Sequence, residues 1–159
     1  MTTTVLTRLI ALLQQHNVAF QRMEHEAVYT SEEAARVRGT TLSSGAKALI
    51  CKSDETYLVF VVPADRKLDN RAVRRRLGVR HLRFATAEEV LEHTGLKPGS
   101  IPPFGSLFKL PTYCDEQLAA EPRINFNAGD HCVSISLAFS DYQTVEKPVM
   151  GQFAEAPRP

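Results

Sequence analysis

The longest clean apolar run in the 159-residue sequence, Leu58–Ala64 (LVFVVPA), falls well short of the ~20 residues a membrane-spanning helix needs. The N-terminal stretch MTTTVLTRLIALLQQHN has no basic region ahead of its apolar part, so a secretory signal is not expected and a cytoplasmic location is. Only three cysteines occur (Cys51, Cys114, Cys132), an odd number without regular spacing, which argues for free thiols rather than a disulfide framework. Eight glycines and nine prolines are too few for a low-complexity chain, and the 43% apolar content is too high for disorder. His16, His25, His81, His93 and His131 form no HxH or HxxxH pair, and no CxxC occurs, so no metal site and no cofactor are expected. Net charge is also nearly absent, at +1.

That near-neutrality conceals a division. Residues 36–83 hold 12 Lys/Arg and 4 Asp/Glu, a net +8, and the remainder holds 7 and 14, a net −7. Such asymmetry can become a basic face that attracts a polyanion. What is present otherwise reads as one domain over residues 1–159 with a core of its own. Apolar spacing predicts an amphipathic helix over 3–16, ended at Asn17, and a short strand over 18–24. Thr30-Ser-Glu-Glu33 opens a helix that runs to Arg38 and stops at Gly39. Ala46–Lys52 and Tyr57–Pro63 read as a hairpin. Asp69 caps a helix over 70–77, a strand follows at 81–85, and Thr86 with Glu89 caps a helix over 87–94 that ends at Gly95. Strands are expected at 106–110, 123–127 and 131–139, and the tail over 152–159 is expected to be flexible. The fold class is α+β, with a mixed or mostly antiparallel sheet and flanking helices.

Lys47 stands out chemically. Strand alternation puts it on one face with Leu49 and Cys51, while Ala46, Ala48 and Ile50 take the other. An ammonium on an apolar face needs a partner, such as a bound phosphate, unless it reaches water at a sheet edge. The segment Gly39–Lys47 is not a P-loop: the glycine spacing is wrong, Ala46 intervenes, and no Ser/Thr follows the lysine. The loop Gly99-Ser-Ile-Pro-Pro-Phe-Gly105 is rigid enough to aim backbone amides at a carbonyl or developing oxyanion. Adjacent His131 and Cys132 on a strand would face opposite ways and could not act as a base–nucleophile pair, although a pairing of His131 with Cys51 or Cys114 stays open. Arg71, Arg74, Arg75 and Arg76 form a candidate phosphate-contact surface, without interleaved aromatics to stack bases.

The segments His25-Glu-Ala-Val-Tyr-Thr-Ser-Glu-Glu-Ala-Ala35, Ala46-Lys-Ala-Leu-Ile50, Val61-Val-Pro-Ala-Asp65 with Lys67-Leu-Asp69, Gly99-Ser-Ile-Pro-Pro-Phe-Gly105 and Asn127-Ala-Gly-Asp-His131, in this order, resemble the YbaK/prolyl-tRNA synthetase-associated editing domain family of free-standing aminoacyl-tRNA deacylases. The resemblance implies a compact mixed α/β domain without a metal, hydrolysing the ester of mischarged tRNA, with a synthetase as a further partner. It implies that Lys47 holds the phosphate of the terminal adenosine and that Gly99 and Pro103 belong to a GxxxP loop orienting the aminoacyl carbonyl. Asp115 and His131 fall near polar positions used by some members. Ser100, Ile101, Gly105 and His25 are expected to bind substrate. Water attack with help from the substrate's ribose fits a sequence without a convincing nucleophile. The alternatives are a non-catalytic tRNA- or synthetase-binding module and a cysteine-dependent hydrolase.

Overall fold

The computed structural model describes residues 3–156. Helix α1 (Val5–Gln15) opens at Thr4, whose hydroxyl accepts from the Thr7 amide, and buries Leu9 and Leu13. Strand β1 (Phe20–Glu24) leads to α2 (Ser31–Arg38), capped by Thr30 and closed by Gly39 in the left-handed conformation that glycine adopts without strain. The expected hairpin is present as β2 (Ala46–Ser53) and β3 (Thr56–Pro63), antiparallel, with Lys47 opposite Val62. Next come α3 (Asn70–Leu77) capped by Asp69, β4 (Leu82–Phe84), and α4 (Ala87–Thr94) with the full Thr86/Glu89 capping box.

After α4 the chain departs from expectation. Residues Gly105–Phe108 form a 3-10 turn rather than a strand, because the Gly105 amide is held by the Thr112 hydroxyl instead of a neighbouring strand. The strand lies further on, as β5 (Thr112–Asp115), and is followed by a 3-10 helix over Glu116–Ala120. Strand β6 (Arg123–Asn127) is as expected; β7 is shorter (Val133–Ala138), and Phe139 already starts α5 (Phe139–Glu146). His131 and Cys132 therefore sit in a turn, where strand alternation does not apply. Strand β8 (Val149–Gly151) ends the regular elements.

The strands form two sheets: antiparallel β1-β7-β6, and mixed β4-β2-β3-β5-β8 with parallel β3–β5 and β5–β8 pairs. A bridge between Gly45 and Asn125 connects them. Alternation in the central hairpin divides the core as expected. Ala46, Ile50, Val59 and Val61 face a larger cluster with α1, β6 and β7, while Cys51, Leu58, Phe60 and Val62 face a smaller one with Val73 of α3. The tail is docked through residue 155. Phe153 is fully buried in the smaller cluster, Leu68 bridges Ala154, and the Glu155 amide donates to the Lys67 carbonyl. Residues 157–159 of the expected flexible tail lie outside the described residues. No described helix is long and apolar enough to cross a membrane.

Candidate functional site

A cavity of about 190 Å³ opens where the N-terminal half of β2 passes between α2 and β6. Strand β4 pairs with β2 only at residues 51–53, so residues 46–49 have β3 on one side and the cavity on the other. Lys47 lines it, half-buried, together with Gly99, Ile101, Arg38, Asn127 and Tyr29. No aspartate, glutamate, histidine or cysteine is among the lining residues. The volume is below the ~300–1,000 Å³ of sites for drug-sized ligands and suits a small acyl group.

The Lys47 ammonium donates to the Arg66 carbonyl at 2.7 Å, leaving two of its three N–H groups for a ligand. Burial holds its pKa below the ordinary lysine value, opposed by the charges of Asp65 and Glu32. Arg38, at the C-terminal end of α2, is the second cation. Its Nε donates to Ser134 Oγ (2.8 Å) and its Nη2 to Asn127 Oδ1 (2.9 Å), and the Asn127 carboxamide in turn donates to the Gly99 carbonyl (2.7 Å). Burial lowers the Arg38 pKa to about 10, so it is charged at neutral pH, yet its hydrogen-bonded partners are neutral oxygens.

The wall opposite Lys47 is a turn. The Ser100 amide donates to the Lys97 carbonyl, Pro98 sits at the first central position, and Gly99 has φ +89° at the second, the arrangement of a type II turn. Within the loop, the amides of Ser100, Phe104, Gly105 and Ser106 are already committed, to Lys97, Pro102, Thr112 and Glu146. Among the described residues, those of Gly99 and Ile101 have no protein acceptor, so the amide donors expected across Gly99–Gly105 reduce to these two.

The other residues singled out in the sequence are placed as follows. Pro103 and Gly105 lie beyond the cavity lining. The Pro103 carbonyl accepts from the buried Tyr142 hydroxyl, and a Cβ on Gly105 would come within 2.4 Å of Thr112 Oγ1, so both serve to seat the loop on α5 and β5. Ser100 is buried, its hydroxyl on the Lys97 carbonyl. Asp115 is not in the cavity; one oxygen accepts from the Gln117 amide and the other from the amides of Phe153 and Ala154, which offsets its desolvation and anchors the tail. His131 packs on Tyr29, ring centroids 4.9 Å apart, and borders Gly99 from outside the lining. His25 also lies outside, its Nδ1 on the Glu26 carbonyl and its Nε2 on Ser134 Oγ. Arg38 carried no signal in the sequence beyond a basic residue closing a helix. Tyr29 and Asn127 were visible only as members of longer motifs.

The thiols do not support a cysteine hydrolase. Cys51 and Cys114 are fully buried in the two clusters, where desolvation pushes each up to about 12. Among the described residues no cluster of potential metal ligands occurs. On the outer surface, Lys52, Arg74, Arg80 and Arg83 converge on a shallow groove with Asp54 and Glu55. Arg76 instead lies over the Phe153 ring, and Arg71 and Arg75 are exposed on α3.

Residues 25–145 match the model of the aminoacyl-tRNA editing domain. The chain is 36% identical over 151 residues to a multifunctional Ser/Thr-tRNA deacylase, ProXp-y, of Escherichia coli (strain K12), covering 92% of this chain and 90% of that protein. It is 25% identical to a prolyl-tRNA editing protein, ProX, of Acetoanaerobium sticklandii (87% and 88% covered). It is also 30% identical to a proline–tRNA ligase of Shouchella clausii, matching 85% of this chain but 25% of that longer protein. A solved structure described as a candidate trans-editing enzyme for prolyl tRNA synthetase superposes with a TM-score of 0.83 over 98% of this chain and 100% of that one, at 24% identity, a likeness of fold. The chain belongs to the aminoacyl-tRNA editing domain family.

Proposed function

We propose that this chain is an aminoacyl-tRNA deacylase that hydrolyses the ester of mischarged tRNA in trans, its whole length acting as one editing domain in the cytoplasm. The observation that carries the reading is the cavity between Lys47 and the Gly99 turn. It brings a partly unspent ammonium into one recess with Gly99 and Ile101, whose amides are unspent, and no carboxylate is in its lining. Lys47 would hold a phosphate of the tRNA 3′ end. The Gly99 and Ile101 amides would receive the carbonyl oxygen as negative charge develops on it.

Of the hydroxyls that line the cavity, Thr30 donates to the Glu33 carboxylate at 3.1 Å but is committed as the N-cap of α2, and Ser31 and Thr41 have no imidazole or carboxylate in the lining, so we assign none of them as the nucleophile. Water is then the nucleophile, positioned with the substrate's own ribose hydroxyl. Its oxygen bonds to the ester carbon, the ribose oxygen leaves and takes a proton, and free amino acid and tRNA result. An activated ester needs little beyond orientation and charge stabilisation. The small cavity favours a small side chain such as Ala, Cys or Ser, on tRNA-Pro or a related tRNA, and excludes larger ones by size.

Pro103, Ser100 and Gly105 contribute by keeping the loop in shape, His131 and Asp115 by supporting the surroundings, and His25 through Ser134. The outer groove and the exposed Arg71, Arg75 and Arg76 would take the tRNA body, and a synthetase would supply the misacylated product. The test is to incubate the protein with tRNA charged with Ala, Cys, Ser, Thr or Pro. Release of at least one small amino acid is expected, and no release from any of them would overturn the reading.

A further inference from the structure

Arg38 closes α2 as a half-buried cation bonded to neutral oxygens, an arrangement whose desolvation cost is offset only by well-directed hydrogen bonds. A guanidinium only donates, and it does so in a fixed planar fork. Its Nη2 therefore obliges the Asn127 carboxamide to present oxygen to Arg38 and nitrogen to Gly99, removing the ambiguity of an amide that could turn over. The Gly99 carbonyl caught by Asn127 belongs to the Gly99–Ser100 peptide. The next plane is held where the Ser100 carbonyl accepts from the Gly129 amide at 2.8 Å. Gly99, at φ +89°, is the most freely rotating residue of the turn, and the Asn127 bond restrains it.

The far end of the chain is equally directed. Ser134 Oγ accepts from Arg38 Nε and donates to His25 Nε2, while His25 Nδ1 donates to the Glu26 carbonyl. The hydrogen bonds of these four side chains thus run outward from Arg38 in two directions, through Asn127 to the Gly99 carbonyl and through Ser134 and His25 to the Glu26 carbonyl.

We propose that Arg38 is a positioning residue: acting through Asn127, it holds the Gly99–Ser100 peptide, which lies between the two peptides that carry the free amides, and so keeps the turn in shape in the cavity it shares with Lys47. The proposal rests on the deacylase reading for its kinetic consequence but not for its structural one, and the experiment separates them. Wild type, Arg38→Lys, Asn127→Asp and the double variant are compared by deacylation kinetics and by amide hydrogen exchange at Ser100 and Gly129. Lysine keeps the charge but lacks the planar fork that fixes Ser134 and Asn127 relative to each other. Aspartate keeps the shape and the acceptor for Arg38 but loses the donor to Gly99, and it protects the test should Arg38→Lys fold poorly.

Both variants are expected to exchange faster at Ser100 and Gly129, whose amides are bonded within the turn and to it, and to lose kcat about ten- to a hundredfold with KM nearly unchanged, as for a misplacement on the ångström scale. The double variant is expected to be no slower than Asn127→Asp alone. Unchanged exchange in both variants overturns the proposal whatever the activity. So does a raised KM at unchanged kcat in Arg38→Lys, which would make Arg38 a direct substrate contact. If the wild type releases no amino acid, the deacylase reading fails, and the exchange rates alone decide the role of Arg38.

Discussion

The protein carries basic charge in two places that differ in the acidic groups around them and in their openness to water. In the cavity, two cations, Lys47 and Arg38, are partly desolvated and bonded to neutral oxygens, with no acidic lining residue. In the outer groove, the exposed Arg80 and Arg83 and the half-buried Lys52 and Arg74 share their surface with Asp54 and Glu55, and Arg83 is already paired with Glu89 at 2.7 Å. Charge held away from water is strong and little screened, and can act on reacting atoms. Exposed charge is weak, salt-sensitive and suited to gathering a polyanion. The net +8 of residues 36–83 is therefore not gathered on one basic face: part of it lines the cavity and part the outer groove.

The sharpest break between the two regions is Lys47→Ala, which removes a charge-assisted contact of about 1.5–3 kcal/mol. We expect kcat/KM for deacylation to fall ten- to more than a hundredfold without a lower melting temperature, since an ammonium need no longer be buried. The same residue sets an alkaline limit. Because burial lowers its pKa, the cation is present at neutral pH and lost as pH rises through a value below that of ordinary lysine, so a pH–rate profile should decline earlier on that side.

Gly105→Ala tests the loop's seat. Its new Cβ would meet Thr112 Oγ1 at 2.4 Å and the Leu110 carbonyl at 2.7 Å, and a loss of about 1–3 kcal/mol is expected in denaturant unfolding. In the groove, Arg74→Ala and Arg83→Ala should each weaken tRNA binding only a few-fold and reduce the log–log salt slope by ~0.7–0.9 per lost phosphate contact. The smallest effect is expected from alkylation at neutral pH. It should reach the exposed Cys132 but not Cys51 or Cys114 in the folded protein, and leave turnover intact.

Where local chemistry decides, the sequence was readable. Thr30, Asp69 and Thr86 cap the helices they were expected to cap, and strand alternation put Lys47 with Leu49 and Cys51. Where distant partners decide, it was not. Residues 106–110 have strand-like composition but form a 3-10 turn, because Thr112 and Glu146 take the Gly105 and Ser106 amides. The tail docks because Asp115, far away in the chain, offers oxygens to Phe153 and Ala154. The same limit applies to the site. Lys47, Gly99 and Ile101 were legible, whereas the role of Arg38 depends on Asn127 and Ser134, which only the fold brings to it.

The division between cavity and groove is tested most directly by single-turnover hydrolysis of a mischarged tRNA at saturating enzyme, comparing wild type, Lys47→Ala and the Arg74→Ala/Arg83→Ala double variant. The groove variant should regain the wild-type rate once binding is saturated, and Lys47→Ala should remain slow at any concentration. A groove variant that stays slow at saturation, or a Lys47→Ala protein that reaches the wild-type rate, would contradict the assignment of chemistry to the cavity.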